Sequence, residues 1–180
     1  LEVGAVQVHV GDLADLASLR RLLKELRPDV VFHLASVGVS RTSHAPQALF
    51  EGNVTVAHNV LLAAAEIEGC RIVYAASSLE QGRTSLPLKE TDPVEPVSLF
   101  GAYKAAATSL MQSTGRLGKQ PIVILRPFAI FGPRVRPFTQ CARSEVVMEA
   151  SQIAPQCAPP SPRPKAVLGW SSMVFTASRL

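Results

Sequence analysis

The sequence predicts an α/β fold, in which helices pack on a doubly wound parallel sheet. Apolar segments of strand length recur through the first two thirds of the 180 residues, and amphipathic segments of helical length separate them. Several of the strand segments show no polar alternation, which is typical of strands buried on both faces. Since parallel neighbours need a crossover connection, this order predicts βαβ units within a single domain.

The first three elements follow from local patterns. β-branched residues alternate over residues 6–10 and predict a strand. Leucines then recur at helical spacing from 16 to 26, with Asp15 as the expected N-cap and Pro28 as the stop. Residues 29–35 form a short apolar run without alternation, which predicts a second strand buried in a parallel sheet.

The same alternation of strand and helix continues further along the chain. A longer helix is expected to follow Pro46, and the next strand is expected at 71–75. A polar, proline-marked loop at 80–98 leads to a helix over about 99–114, and a further buried strand is predicted at 120–125. With right-handed crossovers, the helices are expected to cover both faces of the sheet.

Small and polar residues follow each predicted strand. Ligands of such sheets bind at the carboxyl ends of the strands. The candidate site is therefore expected to be built from four groups that occupy these ends, namely Gly11-Asp12-Leu13, Leu34-Ala35-Ser36, Ser77-Ser78 and Arg126-Pro127.

The charge distribution argues against a nucleic-acid partner. The formal net charge is +4, but residues 1–133 hold 12 Lys and Arg against 12 Asp and Glu. Residues 134–180 hold 6 against 2 and therefore carry the whole excess. The part of the chain with strand and helix patterns has no basic bias of the kind that binds nucleic acid.

Composition also bears on compartment and metal binding. No apolar run approaches the roughly 20 residues that a membrane span requires, so no membrane partner is expected. Cys70, Cys141 and Cys157 are far apart in sequence and show no metal-ligand spacing. We expect free thiols in the reducing cytoplasm and no metal site.

The character of the sequence changes after residue 137. Half of the 14 prolines lie from Pro133 onward, and the run at 158–164 can continue neither a helix nor a central strand. The sequence therefore predicts a folded domain over 1–137 and a proline-rich, basic, loosely ordered tail over 138–180. A short helix around 145–150 is the one periodic segment expected in that tail.

The strand-end motifs, taken in this order, resemble the extended short-chain dehydrogenase/reductase family, whose NAD-dependent epimerases and dehydratases act on nucleotide-linked sugars. The similarity covers about residues 4–137 and rests on several ordered motifs. It implies that residues 1–137 form part of a Rossmann-like dinucleotide-binding domain. It also implies NAD or NADP as the cofactor and a nucleotide sugar as the substrate, without deciding between the two dinucleotides.

The resemblance assigns cofactor binding to residues at or near the strand ends. Asp12 matches the acidic residue that accepts from the adenine amino group, and Asn53 matches an asparagine that props the active-site helix. Pro127 lies in the segment that passes the nicotinamide. The full set implied is Asp12, Leu13, Leu34, Ala35, Ser36, Asn53, Lys104 and Pro127.

The catalytic motif of the family is only partly present. In that family a serine holds the reacting oxygen, a tyrosine transfers the proton, and a lysine four residues later lowers the tyrosine pKa and binds the ribose. Ser77 and Lys104 match the serine and the lysine, but Phe100 stands where the tyrosine belongs. Tyr103 is a candidate substitute that lies three residues further along, and Ala107 follows it where a lysine would be needed.

Two further departures leave the function open at this point. No G-x-x-G-x-x-G turn, which cradles the pyrophosphate in the family, occurs in the sequence. The first predicted strand matches the third strand of the family, so a truncated sheet without the C-terminal substrate domain is expected. The alternatives are an impaired nucleotide-sugar epimerase, dehydratase or reductase, a non-catalytic nucleotide- or partner-binding module, and a nonfunctional fragment. A homodimer through the helices near 46 and 99 is also implied.

Overall fold

The computed structural model describes residues 6–38, 45–82, 87–118, 120–128 and 130, together with the backbone of two strands near the end of the chain. The strands are β1 Val6–Gly11, β2 Val30–His33, β3 Arg71–Ala75, β4 Ile122–Leu125, β5 Lys165–Leu168 and β6 Met173–Ser178. The helices are α1 Leu16–Leu26, α2 Pro46–Phe50, α3 Val56–Ala64 and α4 Leu99–Arg116, with a π-helical turn at Glu51–Thr55 and a 3-10 turn at Ser78–Glu80.

The strands form one mixed sheet in the order β1-β6-β5-β2-β3-β4. The three strands β2, β3 and β4 pair in parallel, with Phe32 opposite Val73 and Val73 opposite Val123. Strand β5 is parallel to β2, whereas β6 runs antiparallel to both β1 and β5. The predicted α/β fold with parallel strands joined by helical crossovers is confirmed.

Local signals set the bounds of α1 as the sequence predicts. The Asp15 side chain caps the helix by accepting from the backbone N–H groups of Ala17 and Ser18, at 3.1 Å each. Arg27 adopts a left-handed conformation with φ of 45° and ends the helix immediately before Pro28. Leu23 is fully buried, so the apolar stripe of this helix faces the core as expected.

The crossover helices of the described residues share one face of the sheet. Helix α3 contacts both α1 and α4, and all three helices contribute to one core with Val31 and Ile72. On the last strand, Val123 and Leu125 point to the other face and are 54% and 46% exposed. The reason is topological, because right-handed crossovers between strands that advance in one direction lie on one side. Among the described residues, the helices therefore cover one face of the sheet and not the two faces that the sequence predicted.

Two features differ in detail from the sequence pattern. The long helix expected after Pro46 is interrupted by the π-helical turn, and this turn places Asn53 in the interior. Residues 165–168 and 173–178 are strands of the sheet, although the proline-rich sequence before them gave no strand signal. The helix expected around 145–150 lies outside the described residues, and the division at residue 137 stays a prediction.

Candidate functional site

A cavity of about 250 Å³ opens between the carboxyl ends of β1 and β2. Residues from both strand ends form one wall, and the start of the α2–α3 helical segment forms the opposite wall. Gly52 is needed here, since a Cβ at this position would collide with the side chain of Val37. The lining residues are Gly11, Asp12, Leu13, Ala14, Ala35, Ser36, Val37, Ala48, Glu51, Gly52 and Val56.

The first strand end is held by side-chain to backbone hydrogen bonds. The Asp12 carboxylate accepts from the N–H of Ala14 at 2.8 Å and so fixes the turn after β1. From α3, the buried amide of Asn59 donates to the carbonyls of Leu13 and Ala14 at 2.9 and 3.0 Å. Asn59 was not singled out from the sequence, because nothing local indicates that its partners lie 46 and 45 residues away.

The Asn53 side chain supports the segment that follows strand β2. Its side-chain oxygen accepts from the Ser36 hydroxyl at 2.9 Å and from the Val37 N–H at 3.3 Å. Its amide donates to the carbonyls of Val37 and Leu49 at 2.9 and 2.8 Å. Asn53 is only 1% exposed. The side chain thus positions the cavity wall and does not itself line the cavity.

A second group of residues meets at the neighbouring ends of β3 and β4. The Ser77 hydroxyl caps the 3-10 turn by accepting from the N–H of Leu79 at 3.2 Å. The N–H of Ser78 donates to the carbonyl of Pro127 at 3.2 Å, which joins the two strand ends. Ser77 and Pro127, which the sequence placed at separate strand ends, are therefore brought together.

Lys104 of α4 reaches the same place. Ser98 caps the helix by accepting from the N–H of Gly101 at 3.1 Å. Gly101 allows α4 to pack directly against the Ser77 turn, because a Cβ there would collide with the carbonyl of Leu79. The Lys104 Nζ donates to the carbonyl of Ala75 at 2.5 Å and lies 4.5 Å from the centre of the Tyr74 ring.

Burial controls the charge of the groups around this amine. Lys104 is 2% exposed, and its desolvation lowers its pKa to about 8 despite an opposing contribution from Glu80. Burial, with a smaller contribution from the Lys104 charge, lowers the pKa of His33 to about 3. Neither ring nitrogen of His33 has a hydrogen-bond partner among the described residues. His33 is therefore a neutral core residue, and the pKa of Lys104 lies closer to neutral pH than the ordinary lysine value.

Phe100 and Tyr103 occupy different surroundings. The Phe100 ring lies beside the segment that follows β2, where a Cβ added to Gly38 would come within 3.2 Å of it. The Tyr103 ring packs edge-on against Phe50 of α2, with centroids 6.0 Å apart. Lys104, by contrast, points to the end of β3. This placement supports the alignment that puts Phe100, rather than Tyr103, at the position of the proton-transferring tyrosine.

Glu80 is fully buried beside this group, although its role was not predicted from the sequence. One carboxylate oxygen accepts from Thr108 at 2.9 Å and from the Ser77 N–H at 3.2 Å. The other oxygen pairs with the Nε of Arg126 at 3.0 Å. A signal was present, because Ser77 and Glu80 have the spacing of a capping box and the structure contains both of its hydrogen bonds.

Most of the predicted strand-end residues fall into these two groups. Asp12, Leu13, Ala35 and Ser36 line the cavity, and Ser77, Lys104 and Pro127 meet at the next strand ends. Leu34 is 43% exposed and is not part of the cavity wall. The described residues contain no cluster of three or more potential metal ligands. None of the helices in the described part of the chain combines the length and apolarity needed to cross a bilayer.

The low pKa of Lys104 predicts a pH dependence of stability. The ordinary pKa of this amine is 10.5, and the folded value is about 8. Between these values the unfolded chain binds more protons than the native one, so the free energy of unfolding rises with pH. From pH 8 to pH 9, urea denaturation should show this free energy rising by about 1 kcal/mol more in the wild type than in Lys104→Met.

The upper limit of this pH range is set by another buried group. Burial raises the pKa of the Cys70 thiol to about 11 from 9.0, and this opposes the effect of Lys104 above pH 9. Lys104→Met retains Cys70, so the difference between the two curves of unfolding free energy against pH gives the contribution of Lys104 alone. Identical slopes in the two proteins between pH 8 and pH 9 would contradict the buried amine that the structure shows.

Comparison with known proteins identifies a family and several relatives that this sequence resembles. The model of the NAD-dependent epimerase/dehydratase family matches residues 2–152. The chain is 31% identical over 128 residues to a probable UDP-glucuronate 4-epimerase of Rhizobium meliloti, covering 69% of this chain and 38% of the relative. It is 36% identical over 108 residues to GDP-mannose 4,6 dehydratase 1 of Arabidopsis thaliana, covering 57% of this chain and 30% of that protein.

A solved epimerase structure is similar to this chain in both fold and sequence. The UDP-glucuronic acid 4-epimerase of Bacillus cereus, in complex with UDP-glucuronic acid and NAD, superposes with a TM-score of 0.63 and 30% sequence identity. The match covers 71% of this chain and 40% of that one. The chain thus spans roughly two fifths of the length of such relatives, as the 38% coverage of the Rhizobium protein also shows.

Proposed function

The chain belongs to the NAD-dependent epimerase/dehydratase family, and we propose that it is an NAD(P)-dependent epimerase, dehydratase or reductase of nucleotide sugars, with an incomplete or impaired site. The observation that carries this proposal is the bond of the Lys104 amine to the carbonyl of Ala75, two residues before Ser77, at the strand end where Ser78 bonds Pro127. A hydroxyl that holds the reacting oxygen and a cation that stabilises charge on it assist hydride transfer from a sugar, and Ser77 and Lys104 would supply these two groups.

The residues present fit two parts of a dinucleotide. The cavity between β1 and β2 is lined mainly by small or apolar groups and has the Asp12 carboxylate at its edge, which suits an adenine ring and its amino group. The Lys104 amine would bind the ribose at the nicotinamide end. The sequence supplies no glycine-rich turn for the pyrophosphate. When bound, the nicotinamide would accept a hydride from a sugar carbon.

The roles of the protein side chains follow from their positions. The Ser77 hydroxyl would hold the reacting sugar oxygen, and the charge on the Lys104 amine would stabilise negative charge that develops there. Phe100 has no proton to exchange, so the proton transfer that a tyrosine provides in the family is missing. The proposed cofactor is NAD or NADP, and the proposed reaction is epimerisation, dehydration or reduction of the sugar.

Phe100 favours a second candidate function. A domain that keeps the cavity and Lys104 but has lost the proton-transferring tyrosine could serve as a non-catalytic module that binds a nucleotide or a protein partner. The two candidates differ in whether a hydroxyl placed at position 100 restores turnover.

Binding of the dinucleotide tests the proposal directly. Isothermal calorimetry of the chain with NAD⁺ and with NADP⁺ should show binding, and Asp12→Asn should weaken it about tenfold, the value of one hydrogen bond to the adenine. Asp92→Asn is a matched control, since Asp92 also accepts a backbone N–H, from Lys89 at 2.7 Å, but does not line the cavity. Absence of binding to either dinucleotide, or equal losses in the two variants, would refute the proposal.

The proposal includes a homodimer and a cytoplasmic location. Phe50 of α2 and Leu99 and Leu110 of α4 are 42%, 54% and 37% exposed, and apolar side chains on adjacent helices suit a helical dimer interface. Sedimentation velocity of the calorimetry sample distinguishes a monomer from a dimer. The free, buried thiol of Cys70 is compatible with the reducing cytoplasm, which cell fractionation would check.

A further inference from the structure

Glu80 is a fully buried carboxylate to which the proposed chemistry gives no role. Three segments of the chain donate hydrogen bonds to it: the Ser77 backbone at the end of β3, Thr108 of α4, and Arg126 at the end of β4. These segments are the ones that bring the candidate catalytic residues together. Burying a carboxylate is costly unless it is paired and hydrogen-bonded, and here both oxygens have partners.

The Thr108 bond links Glu80 to the candidate catalytic lysine. Thr108 and Lys104 are four residues apart on α4, so they lie on the same face of the helix, one turn apart. The Lys104 amine extends to the carbonyl of Ala75, two residues before Ser77. Glu80 therefore contacts the helix one turn after Lys104 and the turn that carries the Ser77 hydroxyl.

The other groups described around Lys104 do not supply the negative charge that Glu80 supplies. The neutral ring of His33 faces it from β2, and the Tyr74 ring lies under its amine from β3. Arg126, from the end of β4, is cationic and pairs with Glu80. On α4 itself, the neighbouring Tyr103 packs against α2. Among the titratable groups described around this amine, Glu80 is the one that carries negative charge.

We propose that Glu80 is a positioning residue of the nucleotide-sugar site, which fixes Lys104 relative to the Ser77 hydroxyl and offsets the charge of its amine. That the site binds a nucleotide sugar rests on the proposed function. The role of Glu80 in holding Lys104 rests on the geometry alone. Because Glu80 is fully buried, it would act without contacting the substrate or the cofactor. Glu80 fixes the position of Lys104 through Thr108 and through the turn that it caps. It acts on the protonation of the Lys104 amine through its negative charge, which Thr108 does not supply.

The test measures the titration of Lys104 in the whole chain without any cofactor. The sequence contains only five lysines, so ¹³C-lysine NMR resolves their side chains, and Lys104→Met assigns the one of interest. Glu80→Gln removes the charge but keeps an oxygen that can accept from Ser77 and Thr108. We expect it to lower the pKa of Lys104 by about one unit, since an attractive charge is lost. Thr108→Val keeps the charge and should leave the midpoint within about 0.3 units.

The result that overturns the inference is an unchanged Lys104 midpoint in Glu80→Gln, or an equal shift in Thr108→Val. If Glu80→Gln does not fold, the wild type still provides a test, because the Arg126 Nε–H should give a protected ¹⁵N resonance through its bond to Glu80. An exchanging resonance at that position would reject the role of Glu80. A shifted midpoint in a chain that binds neither NAD⁺ nor NADP⁺ would leave this inference standing while the proposed function fails.

Discussion

Phe100→Tyr is expected to raise turnover of a nucleotide sugar by about two to four decades, the usual contribution of a general acid/base. Position 100 precedes Lys104 by one helical turn, so a tyrosine hydroxyl there would share the helix face of the lysine. The cationic amine would then lower the pKa of the new phenol, as a nearby positive charge does. Product formation from UDP-glucuronate, UDP-glucose and GDP-mannose with added NAD⁺, followed by chromatography, measures the change.

Two variants control this experiment. Tyr103→Phe should leave turnover unchanged both in the wild type and beside Phe100→Tyr, because the Tyr103 ring packs against Phe50 of α2. Lys104→Met should abolish the gain given by Phe100→Tyr. If Phe100→Tyr binds the dinucleotide but does not increase turnover, the result would favour the non-catalytic binding module. A loss of activity in Tyr103→Phe alone would show that Tyr103 substitutes for the missing tyrosine.

The elements of the fold were predictable where the signal is local. Apolar runs and helical repeats located β1, α1, β2, β3, α4 and β4, because burial of one helix stripe or of whole strands imposes those periods. The Asp15 cap was predictable for the same reason, since its hydrogen-bond partners lie two and three residues away. The strands β5 and β6 were not predicted, because their places in the sheet depend on the distant strands β2 and β1 as well as on their pairing with each other.

The candidate site shows the same division between local and long-range information. Parallel topology places strand ends at one edge, so the positions of Asp12, Ser36 and Ser77 followed from the order of elements. The hydrogen bonds of Glu80 join residues 28 and 46 positions apart and could not be read from periodicity. The inward position of Asn53 depends on a π-helical turn, which shifts the helical phase that a regular repeat assumes.

Arg126→Met is expected to lower the free energy of unfolding by about 3 kcal/mol, the usual cost of leaving one member of a buried ion pair without its partner. The Arg126 side chain is 18% exposed and Glu80 is fully buried, so the carboxylate that remains cannot be hydrated in place. Urea denaturation followed by circular dichroism measures the loss. The double variant Glu80→Gln/Arg126→Met should recover to within about 1 kcal/mol of the wild type, since no uncompensated charge is left.

The two single variants and the double variant form a thermodynamic cycle that separates stability from positioning. The glutamine oxygen can still accept from Ser77 and Thr108, so the turn and α4 stay linked in the double variant while the ion pair is gone. We expect a coupling energy of at least about 2 kcal/mol between positions 80 and 126. A coupling near zero would mean that the ion pair contributes no specific interaction. If the double variant regains stability but Lys104 titrates at a lower pH than in the wild type, the ion pair tunes the lysine rather than stabilising the fold.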